Sequence, residues 1–409
     1  MPKRKLKIAI FHLAFFYSGG GEKLVLKEIE ELARRGHQVD CYTPILDKKL
    51  CFPDLIGKYN IITLFPNTPR FIQKNETAKL LFTCILFPFI AGRFKAYDVI
   101  LGANQPGPWF SWIIKKLYKV PYVIYIAQPT RIIYPRKVDL DNGIWVKTAS
   151  NHLPLLVKFA KPFFVWADRI SIRQSDAVLV NGRYMSKIIK RVYQTPTVVC
   201  PAGATTSTQV VKNKWKGTVS VDGFKIPKPY LLITNRHFPQ KRFEYALKAL
   251  PPILKHFPSL RLIITGNPTV YTTRLKKYAK QLKIAERVIF TGYIKEKDLS
   301  NLYRHAALYL YTPPEEDFGM GVIEAMGNGT PVVAWNHAGP AYTVEHNRTG
   351  YLVPADDDQA YTTAIIKLIK NKRLNMQMAK RGIEHVNKNY TYNKHFDILE
   401  DELFKVSKK

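Results

Sequence analysis

The chain has 409 residues and 46% of them are hydrophobic, which excludes a disordered protein and allows two or three domains with sizeable cores. Lys and Arg number 63 against 31 Asp and Glu, and the resulting net charge of +32 indicates an acidic partner. The basic residues are scattered, and no zinc-finger or aromatic RNA-binding motif accompanies them. The charge therefore favours an anionic membrane surface over nucleic acid.

The first half of the chain opens with the pattern of a strand, a helix and a second strand. Residues 6–11 are apolar, the run Gly19-Gly20-Gly21 follows, residues 22–35 have helical periodicity, and residues 39–42 return as a strand. Further strand signals occur at residues 99–101, 122–127, 177–180 and 198–199, each near a helical stretch. This alternation predicts an α/β domain with a doubly wound parallel sheet.

The longest apolar stretch covers residues 80–91. It is shorter than the roughly 18 apolar residues that a membrane-spanning helix needs, so no spanning segment is predicted. A buried helix is the favoured interpretation, and a monotopic helix that lies on a membrane surface is the alternative. The cysteines form no Cys-x-x-Cys pair and are predicted to be isolated reduced thiols: Cys41, Cys51, Cys84 and Cys200.

The periodic pattern stops near residue 201 and resumes near residue 229. The alternation of strands and helices then begins again and predicts a second doubly wound sheet. The predicted organisation is an N-terminal domain over residues 1–205, a linker or edge loop over 206–228, a second domain over 229–385, and a C-terminal helical segment over 386–409.

The segment from Pro313 to Ala334 is the most informative in the chain. Glu316 and Glu324 flank the turn Phe318-Gly319-Met320-Gly321, and a short helix and an apolar strand follow. A glycine turn at a helix N-terminus binds anions, because its backbone N–H groups and the helix dipole face the ligand. Carboxylates accept hydrogen bonds from hydroxyl groups. Phosphate together with a polyhydroxyl group is the chemistry of a nucleotide sugar.

This segment resembles the donor site of retaining glycosyltransferases of the GT-B fold. In that family the first glutamate contacts the sugar ring and the second the ribose, which implies these roles for Glu316 and Glu324. The agreement extends to Phe318, Gly319, Ala325, Gly329, Pro331 and Val332. The resemblance implies two Rossmann-like doubly wound domains that face a central cleft, and a last helix, supplied by residues 376–403, that returns to the first domain.

Arg236 and Lys241 follow the first strand of the second half. A nucleoside diphosphate carries about two to three negative charges as it leaves, and fixed cations neutralise that charge. The family has an Arg and a Lys at this spacing for that purpose. The alternative is a solvated basic loop.

Several glycines after strands are further candidates for donor binding. Gly20 and Gly21 lie between the first strand and the first helix, where the absence of a side chain allows close approach of a phosphate or a sugar. The resemblance implies that Gly266, Gly292 and Ile294 hold the base, chiefly through backbone atoms. It also places Phe318, Gly319, Met320 and Gly321 at the donor.

Gln128 follows a strand of the first half, in Gln128-Pro129-Thr130-Arg131. The stretch resembles mannosyltransferase-like members of the family, which have a histidine where this chain has Gln128. Glutamine forms hydrogen bonds but does not titrate, so Gln128 is expected to position the sugar or the acceptor. The alternative is a plain loop residue. His12, at the end of the first strand, is interpreted as structural.

No metal is predicted, because Arg236 and Lys241 supply the positive charge and no Asp-x-Asp motif is present. Residues 356–358, three consecutive aspartates, are interpreted as a helix N-cap. No cofactor is expected other than the donor substrate, a GDP- or UDP-linked sugar.

The resulting hypothesis is a retaining glycosyltransferase that moves a hexose, with mannose favoured, to a lipid-linked glycan or polysaccharide. It is expected to be cytoplasmic and peripheral at the inner face of the membrane. A nucleotide-sugar epimerase or phosphorylase of the same fold is one alternative. A basic nucleic-acid-binding protein with a degenerate sugar site is the alternative from another class.

Overall fold

The computed structural model describes residues 4–408 except 70, 71, 73, 74, 132 and 142–153, and it describes only the backbone of residues 154–160. The chain forms two compact units. The N-terminal unit contains the residues up to Pro201 together with those from Asn393 onward, and the C-terminal unit contains Ala202–Tyr392.

The N-terminal unit is built on a parallel sheet of seven strands in the order β5-β3-β1-β6-β7-β8-β9. Its strands, with the separate β2–β4 pair, are Lys7–His12 (β1), Ala14–Phe15 (β2), Gln38–Thr43 (β3), Ile45–Leu46 (β4), Ile61–Thr63 (β5), Val99–Ala103 (β6), Tyr122–Ile126 (β7), Ala177–Val180 (β8) and Val198–Val199 (β9). Ile8 of β1 is in register with Val39 and Val99 on its two sides. The order of a doubly wound sheet, predicted from the alternation, is confirmed.

The helices of this unit carry an apolar side against the sheet. They are Gly20–Arg34 (α1), Glu76–Ile90 (α2), Gly107–Tyr118 (α3), Lys137–Asp141 (α4), Pro154–Arg173 (α5) and Arg183–Tyr193 (α6), with short 3-10 turns at Ile56–Lys58 and Ala91–Phe94. The centre of the core is aromatic. Phe87 of α2 stacks on Phe110 of α3 with ring centroids 4.2 Å apart, and Phe11 of β1 meets both rings edge to face.

The C-terminal unit repeats the topology with six parallel strands in the order β14-β13-β12-β15-β16-β17. Its strands are Thr218–Val221 (β10), Phe224–Pro227 (β11), Tyr230–Thr234 (β12), Arg261–Thr265 (β13), Val288–Gly292 (β14), Leu308–Tyr311 (β15), Val332–Trp335 (β16) and Gly350–Val353 (β17). Its helices are Glu244–His256 (α7), Val270–Gln281 (α8), Glu296–His305 (α9), Met320–Gly327 (α10), Pro340–Thr343 (α11), Asp358–Lys370 (α12) and Lys372–Asn389 (α13), with 3-10 turns at Pro239–Lys241 and Ala285–Arg287.

Residues 206–228, predicted as a linker or edge loop, contain the β10–β11 hairpin and belong to the C-terminal unit. The hairpin turns at Asp222 and Gly223, which both have positive φ. Asp-Gly is a preferred pair for such a turn, because these residues adopt positive φ at low cost. The boundary between the units therefore lies at Pro201, before the predicted linker.

The last helix is Tyr392–Ser407 (α14), and from Asn393 onward it belongs to the N-terminal unit. Its buried His395 hydrogen-bonds Glu28 of α1 through Nε2 at 3.0 Å and contacts the sulfur of Cys200 through Nδ1 at 3.2 Å. Arg35, after α1, is ion-paired with Glu400 at 3.0 Å. These contacts attach α14 to α1. Residues 376–403, expected to form one helix, are divided between α13 and α14 by a break at residues 390–391.

The apolar stretch at residues 80–91 differs from its prediction. It lies in α2, which the following 3-10 turn extends to residue 94, and the favoured interpretation of a buried helix is wrong for its outer side. Ile85 is 70% exposed and Phe89 is 84% exposed. In the described part of the chain, the stretch Glu76–Phe94 is the one helix that is long and apolar enough to cross a membrane by length and composition. That no segment spans a membrane stays a prediction.

Candidate functional site

The candidate site lies where the strand order of the C-terminal sheet reverses. β12 is the first strand of that sheet, with β13 on one side and β15 on the other. Doubly wound sheets bind ligands beyond the carboxyl ends of their strands at this switch point. The segments that follow β12 and β15 carry four charged residues singled out in the sequence: Arg236, Lys241, Glu316 and Glu324.

The loop after β12 is anchored by a buried histidine. His237 is fully buried and its Nδ1 lies 2.8 Å from the Thr272 hydroxyl, while its carbonyl oxygen accepts a hydrogen bond from Thr269. Burial lowers the pKa of His237 to about 4, so the imidazole is neutral at pH 7. The neighbouring Arg236 guanidinium lies 5.6 Å from the centroid of the Phe238 ring. The histidine fixes the loop that carries Arg236 and Lys241.

The loops after β12 and β15 are joined by direct contacts. The Thr312 hydroxyl donates to the carbonyl oxygen of Lys241 at 2.7 Å, and the Trp335 indole N–H donates to the carbonyl oxygen of Thr312 at 2.8 Å. The Lys241 ammonium forms an ion pair with the Glu316 carboxylate, and both side chains are largely buried. The structure therefore brings the predicted cation and the predicted sugar-binding carboxylate into contact.

The glycine turn before α10 has the backbone geometry that requires glycine. Gly319 has φ of +87°, in the left-handed region. A Cβ at Gly321 would lie 2.1 Å from the Tyr309 hydroxyl, and one at Gly339 would lie 2.6 Å from the backbone of Phe318. The turn is consequently packed closely from both sides. The backbone N–H groups of the first turn of α10 follow it and provide the anion-binding end of a helix.

Glu324 is held in place by a hydroxyl network that sequence reasoning missed. Tyr303 of α9 donates its hydroxyl proton to Glu324 Oε2 at 3.0 Å, and the same hydroxyl lies 2.5 Å from the hydroxyl of Thr234. Tyr309 lies 2.9 Å from the Thr234 hydroxyl. Burial raises the pKa of Tyr303, so the phenol remains protonated and can donate.

The ends of β13 and β14 meet beside the loop after β12. Gly266 donates its N–H to the carbonyl oxygen of Gly292 at 2.9 Å. Gly266 has φ of +132°, and a Cβ there would lie 1.9 Å from the carbonyl oxygen of Asn235. Only glycine fits this position. Ile294, by contrast, has its side chain buried in the core, so only its backbone is available for a ligand.

The other predicted site residues lie in the N-terminal unit. Gly20 and Gly21 form the first turn of α1, and a Cβ at Gly21 would meet nothing within 4 Å. Gln128 is exposed and follows the end of β7. His12, interpreted as structural, is 4% exposed at the end of β1, where burial lowers its pKa.

The loop after Gln128 depends on a buried aspartate that sequence reasoning also missed. The Thr130 hydroxyl donates to Asp168 Oδ1 at 2.6 Å. Asp168 is 4% exposed, and burial raises the pKa of its carboxyl group. The signal in the sequence that could have indicated this contact is the single aspartate among the aromatic residues of α5.

The predicted N-cap of the helix α12 is confirmed. Asp357 caps α12 and accepts a hydrogen bond from the Ala360 N–H at 2.8 Å.

Two family models cover most of the chain. Residues 18–208 match the family described as Glycosyltransferase Family 4, and residues 221–385 match the family described as Glycosyl transferases group 1. The chain belongs to this family of glycosyltransferases and is therefore an enzyme that transfers a sugar.

Individual relatives agree with this assignment. The chain is 27% identical over 244 residues to the alpha-1,3/1,6-mannosyltransferase ALG2 of Homo sapiens, a match that covers 55% of this chain and 58% of that protein. It is 23% identical to the ALG2 of Rhizomucor pusillus over 98% of this chain and 92% of that protein. The structure of HepE of Anabaena in complex with UDP and glucose aligns with a TM-score of 0.72 and 17% identity, over 97% of this chain and 99% of that one. Such structural neighbours show the GT-B fold.

Proposed function

We propose that the enzyme moves mannose from a nucleotide-diphosphate sugar to a lipid-linked glycan or polysaccharide, with retention of the anomeric configuration and without a metal ion. The observation that carries the proposal is the meeting of Lys241 with Glu316 across the β12/β15 switch point. A fixed cation and a fixed carboxylate beside a glycine turn match the diphosphate and the hydroxyl groups of such a donor.

Arg236, Lys241 and the N-terminus of α10 stabilise the diphosphate leaving group. As the glycosidic bond breaks, negative charge develops on the departing phosphate oxygen, and preorganised cations lower the barrier by stabilising that charge. Lys241 is oriented before the donor arrives, because Glu316 and the backbone contact to Thr312 hold it. Neutralisation by these side chains takes the place that a divalent ion has in other transferases.

Glu316 accepts hydrogen bonds from the hydroxyls of the transferred sugar, and Glu324 accepts them from the ribose. The hydrogen bond from Tyr303 to Glu324 Oε2 fixes the direction of the carboxylate. Gly266, Gly292 and the backbone of Ile294 line the ends of β13 and β14 and accommodate the base. Because such contacts are made by backbone atoms, the side chains at these positions give little information about which base is bound.

Glu316 and Glu324 do not form the acid/base pair of a hydrolase. Hydrolase carboxylates lie on opposite sides of the scissile bond, whereas these two arise from one turn and the helix that follows it. We therefore propose attack of the acceptor hydroxyl on the face from which the diphosphate departs. The acceptor oxygen forms the new bond to the anomeric carbon, the carbon–phosphate oxygen bond breaks, and the departing phosphate oxygen takes the acceptor proton. Gln128 positions the sugar or the acceptor and carries no proton.

Mannose is proposed because the ALG2 relatives are named as mannosyltransferases. A GDP-linked donor is the first candidate and a UDP-linked donor the second, since HepE was solved with UDP and glucose. The charge of +32 supports an acceptor displayed at an anionic membrane, with the enzyme peripheral at its cytoplasmic face.

The test is a transfer assay with GDP-mannose, UDP-glucose and UDP-N-acetylglucosamine, an extract of membrane lipids as the acceptor, and EDTA in a parallel reaction. The proposal predicts a mannosylated product with the anomeric configuration of the donor and an unchanged rate in EDTA. Transfer of another sugar would contradict the mannose assignment alone. An inverted product, or activity abolished by EDTA, would contradict the mechanism.

A further inference from the structure

The helix α2 is apolar on two opposite sides, and among the described residues one of these sides is buried and the other is exposed. Thr83 and Phe87 on the inner side are fully buried. Ile85 and Phe89 lie about half a turn away from these positions and are strongly exposed. A helix that is apolar all round is normally enclosed by protein or by lipid. Within the part of the chain that the structure describes, the outer side of α2 therefore remains exposed.

The neighbouring helices extend this apolar surface. Phe87 of α2 stacks on Phe110 of α3, and on the other side of α3 the Trp112 and Trp166 rings are 5.8 Å apart. α3 consequently lies between α2 and α5. The three helices belong to one layer on the sheet, because β5, β6, β7 and β8 advance in one direction and right-handed crossovers then share a face.

The exposed aromatic and aliphatic residues of the chain concentrate on this layer. Among the described residues, twelve large hydrophobic side chains are exposed, and six of them belong to these three helices: Ile85, Phe89, Leu117, Tyr118, Phe163 and Trp166. A Cβ at Gly92 would lie 2.9 Å from the Tyr118 hydroxyl, so the end of α2 and the end of α3 meet. We call this surface the α2–α3–α5 face.

The charges around the α2–α3–α5 face are positive. Its exposed basic residues are Arg93, Lys95, Lys116, Lys119, Lys161, Arg169 and Arg173. Over residues 76–95, 107–119 and 161–173, Glu76 is the one carboxylate that is not buried. Aromatic rings with a polar edge suit the boundary between water and lipid, and nearby lysines and arginines are attracted to anionic head groups.

We propose that the α2–α3–α5 face is the surface with which the enzyme lies on an anionic lipid bilayer, with the outer side of α2 inserted among the lipids. This deepens the proposed membrane location and does not depend on which sugar is transferred. The geometry favours an interfacial position over a spanning one, because Phe87 and Thr83 would leave the core if α2 crossed the membrane.

The test compares two double variants by co-sedimentation with vesicles. Ile85→Asp/Phe89→Asp places two charges on the face. Val270→Asp/Phe224→Asp adds the same charge at exposed apolar positions of the C-terminal unit, where Val270 is 82% exposed. Vesicles of phosphatidylcholine are used with and without phosphatidylglycerol.

The wild type and the control variant are expected to bind the phosphatidylglycerol vesicles, and binding is expected to weaken with added salt. The partition coefficient of the Ile85→Asp/Phe89→Asp variant onto these vesicles is expected to fall at least about tenfold, because the apolar side chains no longer insert among the lipids. The conservative variant Ile85→Leu/Phe89→Trp is expected to bind like the wild type. Alkaline carbonate should release the bound enzyme.

Equal binding of both aspartate variants would overturn the proposal, as would retention in carbonate, which marks a spanning segment. A dimer that Ile85→Asp/Phe89→Asp dissociates while vesicle binding persists would also overturn it and assign the face to a second copy. Thermal stabilisation by nucleotide, measured on the same variants, is expected to be unchanged. Its loss in wild type and variants alike would count against the proposed transferase site and not against the membrane face.

Discussion

The two units share a strand order but expose different chemistry. In the C-terminal unit, the candidate functional groups lie on the segments that follow β12 and β15, and they are fixed by short polar contacts such as Lys241–Glu316 and Tyr303–Glu324. In the N-terminal unit, the distinctive feature is the outer side of a helix layer, where apolar side chains such as Phe89 are strongly exposed.

This difference indicates that a doubly wound domain has two independent functional surfaces: the ends of its strands and the outer faces of its helices. Strand ends collect polar groups in fixed geometry, which suits the recognition of one small molecule. The outer faces of the helices provide a broad apolar surface without fixed hydrogen-bonding groups. Because apolar burial is non-directional, such a surface suits a partner without fixed geometry, such as a lipid bilayer. Changes to one surface are therefore expected to leave the other unaffected.

The largest expected effect concerns the cations of the switch point. Under the proposed mechanism, Lys241→Ala removes a charge that stabilises the diphosphate in the transition state, so kcat is expected to fall by about 10²–10³-fold. Vesicle binding should not change. The measurement is steady-state transfer beside vesicle co-sedimentation, with Lys276→Ala on α8 as a control for the loss of one charge. If Lys241→Ala and the control are equally active, Lys241 is not part of the site.

A second effect is a dependence of the stability of the C-terminal unit on pH. Burial lowers the pKa of His237 from 6.5 to about 4, so between these values the unfolded chain binds the proton and the folded chain does not. The free energy of unfolding therefore has its full value above about pH 6.5. It decreases by about 3 kcal/mol as the pH falls towards 4.

Chemical denaturation at a series of pH values measures this dependence. His237→Asn, which keeps a polar group near Thr272 but does not titrate, is expected to flatten the curve over that range. Identical slopes in the two proteins would show that His237 is not the titrating group.

The smallest expected effect concerns the orientation of Glu324. Tyr303→Phe removes a hydrogen bond to a carboxylate, which is worth about 1.5 kcal/mol, and should weaken nucleoside diphosphate binding about tenfold. The loss should be much smaller for a 2′,3′-dideoxynucleotide, which has no ribose hydroxyls to offer Glu324.

Isothermal titration calorimetry gives both affinities. Tyr361→Phe, which removes a buried hydroxyl at a 3.4 Å contact to the carbonyl oxygen of Val333, is the matched control. An equal loss for both nucleotides in Tyr303→Phe would indicate a general structural effect and no role in positioning.

Much of this architecture could be predicted because the local signals agree. The central strands of the C-terminal sheet are short apolar runs followed by glycine or a polar residue, and the residues around Glu316 and Glu324 form one continuous motif. The β10–β11 hairpin was missed although its signal was present, since Asp222-Gly223 lies between alternating residues.

Other features could not be predicted, because they depend on packing between distant parts of the chain. Tyr303 reaches Glu324 from another helix, and no spacing in the sequence indicates that contact. The exposure of one side of α2 could not be predicted either, because a continuous run of apolar residues does not indicate which side of the helix the core buries.

The most direct test of the central claim, a nucleotide-sugar site at the β12/β15 switch point, is a thermal shift measurement with GDP, UDP, ADP and dTDP in the absence of metal. The wild type is compared with Lys241→Ala. The account predicts stabilisation by one nucleotide, of about 2.7 kcal/mol at roughly 100 times its dissociation constant, and a clearly smaller shift in the variant. No stabilisation by any of the four, or an equal shift in both proteins, would contradict it.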